Sequence, residues 1–307
     1  MQSAELDVLV VGAAGVDTNV YLLGDDVDWS VEANFTENLD CAGQAGGYTS
    51  RGYAALGRRV ALFAYVGRDA LGDLFCTEVG GDGVECHLLE DPRGTNRSVN
   101  LMYRDGRRKN FYDAKSALEL RPPPETWLPL LQRTRLVHCH IQDWCRAVLP
   151  PARDLGRTVA CDLQDVVSPD DPYREDFVRG ADVLFFSGVN QPDPAPLMQR
   201  YLSQGRVRAV IAGLGRHGCL LATREGGVEH FPAVPDERPV VDTNGAGDSL
   251  AVGFLSSYVL DGRSLRESVL RGQIAARHAC TLRGTSRGLI DTAELDRRQA
   301  RLAPDGA

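Results

Sequence analysis

Lysine is almost missing from this chain. Of its 34 basic residues only Lys109 and Lys115 are lysines. No Gly-Lys-Ser/Thr occurs, which excludes a Walker-type phosphate loop, and the Val-Ala-Ile-Lys strand of protein kinases is absent too. Positive charge is not in surplus: the net charge of -8 argues against nucleic acid and against an acidic membrane surface as partners. No apolar run approaches the roughly 20 residues of a membrane span. There is no Gly-x-Ser-x-Gly elbow and no CxxC pair. The eight cysteines are scattered at 41, 76, 86, 139, 145, 161, 219 and 280, mostly in apolar runs, as expected of buried thiols in a reducing compartment. Met1 to Asp7 has neither a basic segment nor a signal-type apolar core, so a cytoplasmic location is expected.

What is present reads as an ordinary globule. With 307 residues, 43% of them hydrophobic and 25% charged, the chain can bury the core of one large α/β domain or two smaller ones. Val8–Val11 is a short apolar run ending at Gly12, the pattern of a buried parallel strand. Gly43–Leu56, rich in Gly and Ala and stopped by Gly57, predicts a tightly packed helix. Strands are expected at 60–66, 84–89, 135–140, 158–162, 182–186 and 208–212, with helices between them, including 71–79 and one opening near Glu125 after Pro122-Pro123-Pro124. Asp105-Gly106 between two alternating segments predicts a hairpin over 98–112, and 218–222 with 228–231 predicts another. Two long helices follow Gly247, the last ending near Cys280. The rhythm predicts an α/β fold: a doubly wound, mostly parallel sheet flanked by helices, with a small β-strand lid drawn from about 17–40 and 90–113. Such a flap usually covers a site.

Asp242-Thr243-Asn244-Gly245-Ala246-Gly247-Asp248 carries the most chemistry. Small residues opening a helix let a ligand approach free N–H groups, and an acid beside that anion site can take a proton from a hydroxyl. An ordinary turn and cap would also fit. Asp17, just beyond the first strand, is either a turn aspartate or a carboxylate that grips substrate hydroxyls. Gly213-Leu214-Gly215-Arg216-His217-Gly218 is a literal GxGxxG, yet the β-like Cys219–Thr223 follows it where a dinucleotide fingerprint needs a helix. His138 and His140 share a strand face, and with Asp143 or Cys145 a zinc site is conceivable, although site-lining imidazoles fit as well. Asp162 ends a neighbouring strand and is expected to face the same cleft. The run Arg104–Lys109 is a solvated hairpin tip whose arginines could reach a phosphate.

Taken in order along nearly the whole chain, these segments resemble the PfkB/ribokinase-type carbohydrate and nucleoside kinases. The resemblance rests on Asp242–Ser249, the opening strand with Gly12 and Asp17, Gly43–Gly57, Val66-Gly67-Arg68-Asp69, the lid hairpin with Thr95 and Gly106, and Gly213–Gly218. It implies ATP-dependent phosphorylation of a hydroxyl on a sugar or sugar-like acceptor. Asp248 then matches the general base, and the amides of Gly245, Ala246 and Gly247 match the anion hole. Asp17, Gly43, Gln44, Gly47 and Tyr48 fall in the acceptor-binding segments. Ser187, Asn190, Gly213, Gly215, Gly218 and Gln273 fall on the ATP side. Asp242, Asn244, Ala279, Leu282 and Gly284 fall where many members hold a potassium-like ion. Mg²⁺ is expected on the ATP phosphates, and the dipole of the helix is expected to keep Asp248 ionised. A homodimer through the β-lids is a family expectation.

Several positions depart from the family pattern. Gly43-Gln44 stands for its Gly-Gly pair, and Tyr48 for its Asn. Ser187-Gly188-Val189-Asn190 stands for Asn-x-x-Glu, which would shift the magnesium role to Asp162 or Asp165. The altered pocket argues against ribose and fructose as acceptors. A nucleoside acceptor stacked on Tyr48, Phe35 or Tyr112 and a non-catalytic sugar or nucleotide sensor are the competing readings.

Overall fold

β-Branched and apolar residues fill the strand segments, and the computed structural model shows how they pair; it describes residues 6–284 and 287–302. In chain order the strands are β1 (Leu6–Val11), β2 (Gly15–Leu22), β3 (Thr36–Gly43), β4 (Val60–Val66), β5 (Glu85–Glu90), β6 (Asn96–Met102) and β7 (Arg108–Asp113). They continue as β8 (Thr134–His140), β9 (Thr158–Asp165), β10 (Val183–Ser187), β11 (Ala209–Gly213), β12 (Cys219–Thr223) and β13 (Gly227–Phe231). The helices are α1 (Gln44–Ala55), α2 (Ala70–Gly81), α3 (Pro124–Gln132), α4 (Leu149–Asp154) and α5 (Glu175–Gly180). The remaining helices are α6 (Ala195–Ser203), α7 (Ala246–Leu255), α8 (Leu265–Ala279) and α9 (Thr292–Leu302).

Among the described residues the central sheet has nine strands, ordered β13-β12-β11-β10-β9-β8-β1-β4-β5. It is parallel except for β12 and β13, which turn back at one edge. β1 shows why a parallel sheet reads as a continuous apolar run: Leu9 and Val11 enter one core with Phe63, Trp127, Trp144 and Phe177, while Val8 and Val10 enter the other with Leu62, Phe75 and Phe254. Helices therefore cover both faces.

The second sheet, of order β3-β2-β6-β7, forms the lid. Its strand β2 pairs antiparallel with β3 and parallel with β6. Glycines set two close approaches that matter for the site. A Cβ on Gly12 would lie 2.5 Å from the His140 ring, and one on Gly253 would lie 2.9 Å from a backbone oxygen of α8, so α7 can sit tightly on α8.

One element was not foreseen. The chain does not end its helices near Cys280: α9 follows, opened by Asp291, whose carboxylate accepts the Glu294 N–H at 2.7 Å. It sets Leu295 and Leu302, seven residues apart, on the core and is otherwise held by charge, with Arg298 paired to Glu294 and Asp236. Two leucines in an otherwise charged stretch make a sparse apolar stripe, easily passed over in the sequence.

Candidate active site

Parallel strands bring their C-terminal ends to one edge of the sheet, and the helix and lid strands that follow them supply the rest of the cleft. Asp17 on β2 lies at the centre of the acceptor half. It is 3% exposed and accepts Gln44 Nε2 at 2.6 Å, the Tyr48 hydroxyl at 2.6 Å and Asn244 Nδ2 at 2.9 Å. Burial raises its pKa, against the hydrogen bonds from Tyr48 and Asn244 and the charge of Arg108. Gly43 must lack a side chain because a Cβ there would meet the Asp17 carboxyl carbon at 2.5 Å. Gln44 heads α1 with φ of 64°, a left-handed conformation that costs a non-glycine residue of order 1–3 kcal/mol and aims its amide at Asp17.

Asn244 ties four elements together. Its amide donates to Asp17 and, at 2.8 Å, to the Tyr48 oxygen, while its own oxygen accepts Arg108 from lid strand β7. Arg108 is otherwise exposed, so the hairpin run is not solvated throughout: this arginine reaches the site loop. Gly245 turns the chain with φ of 70°, and α7 begins at Ala246, leaving the amides of its first turn without intrahelical partners. A Cβ on Gly247 would meet nothing within 4 Å, so this end of α7 is open to a ligand.

Asp248, on that first turn, meets two residues from neighbouring strands. His140 and Asp162 stand in register on β8 and β9, which puts their side chains side by side. A ring nitrogen of His140 and carboxylate oxygens of Asp162 and Asp248 all lie within 4.8 Å of one another. Burial holds His140 neutral, its pKa pushed down to about 3, and pushes Asp162 up to about 6. Asp248 is pushed up to about 8, chiefly by burial and then by the charge of Asp162, with Arg108 opposing. The helix dipole therefore does not keep Asp248 ionised in the unliganded protein. The dipole is worth roughly 0.3–1 kcal/mol at an exposed terminus, less than the burial it faces here.

A match to the family described as pfkB family carbohydrate kinase spans residues 17–293. The chain belongs to this family. It is 35% identical over 295 residues to an acarbose 7(IV)-phosphotransferase of Actinoplanes sp., covering 95% of this chain and 98% of the relative. A 2-dehydro-3-deoxygluconokinase of Bacillus subtilis is 26% identical, over 72% of this chain and 75% of that protein. Among solved structures, a microbiome-derived acarbose kinase superposes with a TM-score of 0.86 at 31% identity, covering 96% of this chain and 99% of that one. Arabidopsis thaliana ribokinase, solved with ribose and ATP, shares the fold with a TM-score of 0.80 at 20% identity, over 96% and 98% of the two chains. As a pfkB family member the protein is an ATP-dependent sugar kinase with a ribokinase-like fold, and the nucleoside-kinase and sensor readings are not favoured. No helix among the described residues is long and apolar enough to cross a membrane.

The pfkB signature positions do not all do what the sequence suggests. Asp17, Gly43, Gln44, Tyr48 and Asn244 come together as one bonded group. Gly47 does not join them: its missing side chain makes room for Phe75 of α2, 3.1 Å from where a Cβ would stand. On the ATP side, Ser187 and Gly213 end paired strands, and Gly215 has φ of 56°. Gly218 is explained by the backbone, since a Cβ there would lie 2.1 Å from the Phe231 carbonyl oxygen. Gln273 is buried on α8. Asn190 donates to both oxygens of Asp165, the last residue of β9, at 2.9 Å.

Among the described residues, the group expected to hold a potassium-like ion does not stand as an open set of oxygens. Asp242 accepts the Tyr21 hydroxyl at 2.7 Å and the N–H groups of Asn244 and Gly284 at 2.7 and 3.0 Å. Three donors, one of them from the lid, face this carboxylate. The carbonyl of Ala279 accepts the Leu282 N–H, and that of Gly284 accepts the Cys41 thiol. The conceived zinc site does not assemble either. His138 bonds the Tyr53 hydroxyl, Asp143 pairs with Arg121 and Arg146, and the Cys145 thiol lies against the Val11 carbonyl.

Tyr21, the bond from Arg108 to Asn244 and the approach of His140 to Asp248 escaped the sequence reading. The signal available for His140 was positional: it and Asp162 end two consecutive parallel strands, and such ends converge.

Proposed function

We propose that the site moves the γ-phosphoryl group of ATP to a hydroxyl of an acarbose-type oligosaccharide, with Asp248 as general base. The carrying observation is the Asp17 group. Gln44, Tyr48 and Asn244 take three of the roughly four lone-pair sites of this carboxylate, so it orders the pocket floor and has little left to grip a small sugar. An acceptor must then draw its contacts from a wider surface. Tyr112, an exposed aromatic on the lid bonded to Gln142, is near enough to feel the Asp17 charge, and the relatives above 30% identity are named for acarbose.

In the step itself the acceptor hydroxyl gives its proton to a carboxylate oxygen of Asp248. Its oxygen bonds the γ-phosphorus as the bond from that phosphorus to the ADP oxygen breaks. The amides of Gly245, Ala246 and Gly247 stabilise the charge on the transferring group, and Arg108 adds a cation from the lid. Since Asp248 favours its proton in the unliganded site, positive charge arriving in the cleft is what readies it as a base. Mg²⁺ carried by the ATP phosphates would neutralise charge across them, and Asp165 and Asp162 are the carboxylates placed to face it. Ser187 and the Gly213–Gly215 turn line the nucleotide side, with Gln273 behind them.

The same reading takes 1–307 as one kinase domain with its lid from about 17–40 and 90–113, working in the cytoplasm, where the buried thiols of Cys139, Cys145, Cys161 and Cys219 would stay reduced. Exposed Trp29, Phe35 and Phe111 would let two lids meet in a homodimer. ADP release should be measured with ribose, fructose, glucose, maltooligosaccharides and acarbose. Highest kcat/KM on the oligosaccharides, with loss of turnover in Asp248→Asn, is the expected result. Turnover confined to monosaccharides would sink the proposed acceptor.

A further inference from the structure

We propose that His140, Asp162 and Asp248 form a binding site for a divalent ion of the Mn²⁺–Zn²⁺ class, separate from the ion that ATP carries. The proposal rests on reading Asp248 as the catalytic base, because it gives that base a second ligand to hold.

The cluster presents lone pairs for an ion, and the proton that Asp248 favours leaves as the ion binds. Thr49 settles the imidazole. Its hydroxyl donates to the carbonyls of Ala45 at 2.7 Å and Gly46 at 3.3 Å, so its oxygen can only accept from His140 Nε2, 3.2 Å away. His140 therefore carries its proton on Nε2 and a lone pair on Nδ1. That Nδ1 is fully buried and has no hydrogen-bond partner, and neither has the buried Oδ1 of Asp248. Asp162 accepts only the N–H of Gln164, at 2.8 Å, from a residue held at φ of 58°. Leaving such acceptors dry and unpaired is unfavourable, and a bound cation would relieve it.

The nearby cations do not fill this role. Arg108 is bonded to Asn244, and Arg174 is spent on Asp171 and on the carbonyls of Leu163 and Asp165. Two carboxylates and one neutral imidazole match the charge of a divalent ion. One nitrogen in the set favours Mn²⁺, Co²⁺ or Zn²⁺ over Mg²⁺ and Ca²⁺, which prefer oxygen alone. Donor atoms within 4.8 Å of one another can close onto a single ion with small side-chain shifts. An ion held there occupies the Asp248 lone pair that receives the acceptor proton. Free ion in excess of ATP would therefore inhibit the kinase.

The experiment is titration of nucleotide-free protein with Mn²⁺, read by loss of the free-ion EPR signal, and with Zn²⁺, read by calorimetry. One ion per chain is expected, persisting in a hundredfold excess of Mg²⁺ and weakened at least tenfold in both His140→Gln and Asp162→Asn. Circular dichroism melts confirm that each variant is folded, and Thr49→Val, which removes the tautomer lock without touching a ligand, should weaken binding as well. No binding, or binding unchanged in folded His140→Gln and Asp162→Asn, overturns the site. Turnover with MgATP is measured on the same preparation. Turnover without Mn²⁺ or Zn²⁺ binding would sink the ion site alone, whereas binding without turnover on any sugar would sink the kinase reading and keep the site.

Discussion

Asp248 must act as a base while its surroundings favour its proton. Its pKa is raised from 3.8 to about 8, so between those values the folded protein holds a proton that the unfolded chain releases. The stability this carboxyl contributes is present below pH 4 and lost as pH rises toward 8. Asp248→Asn removes the titration and keeps the shape. The metal-free variant should therefore melt higher than the parent at pH 8, by about 2 kcal/mol given 1.36 kcal/mol per pKa unit and partial relief by water. At pH 4 and below the two should melt together. Turnover should meanwhile fall by roughly 10²–10⁴, the contribution of a positioned base. Melts at both pH values, with ADP release on the same samples, check this. A variant less stable than the parent at pH 8 would mean that the carboxylate is not strained by its neighbours.

Among the elements, the lid and the α7 loop are joined by side chains rather than by packing. Tyr21 of β2 reaches Asp242, Arg108 of β7 reaches Asn244, and Arg283 pairs with Glu37 of β3 while lying 4.2 Å over the Tyr21 ring. Arg108 is the bond that ends on the acceptor floor. Arg108→Ala should raise the acceptor KM and lower kcat/KM by about 10–100-fold, the worth of a charged hydrogen bond of 1.5–3 kcal/mol, with the KM for ATP little changed. Arg108→Lys should recover part of the loss, because it restores charge without the planar fork. An unchanged acceptor KM in Arg108→Ala would leave the arginine a surface residue. None of these links was legible in the sequence, since each joins residues more than a hundred positions apart or depends on how a hairpin leans. The strands themselves were legible, because runs such as Val60–Val66 are apolar throughout and stop at glycine. The α7 signature was legible for the opposite reason: Gly245–Asp248 concentrates small residues and one acid in a few positions, where no packing demand explains them. The pKa of Asp248 was not, because it is set by burial and by Asp162, 86 positions earlier in a chain that says nothing of their distance.

For the whole molecule, the site lies between two sheets of unequal security. The central strands β1, β8, β9 and β10 are buried on both faces, whereas β7 of the lid is exposed along its whole length. Local opening should therefore start in the lid. Tyr21, Arg108 and Arg283 make that opening break bonds to the loops at 242–244 and 283–284, so the two regions should open and close together. Hydrogen exchange should show it. A nucleotide analogue with acceptor should slow the amides of β2, β6 and β7 together with those of residues 242–248. The expected factor is on the order of 5–150, matching 1–3 kcal/mol of coupling. The amides of β8 to β10 should not change, being already protected. In Arg108→Ala the lid amides should still respond to acceptor while those of 242–248 respond less. Slowing confined to the lid in the parent protein would show that the two sheets move independently and that the bonds between them carry no coupling.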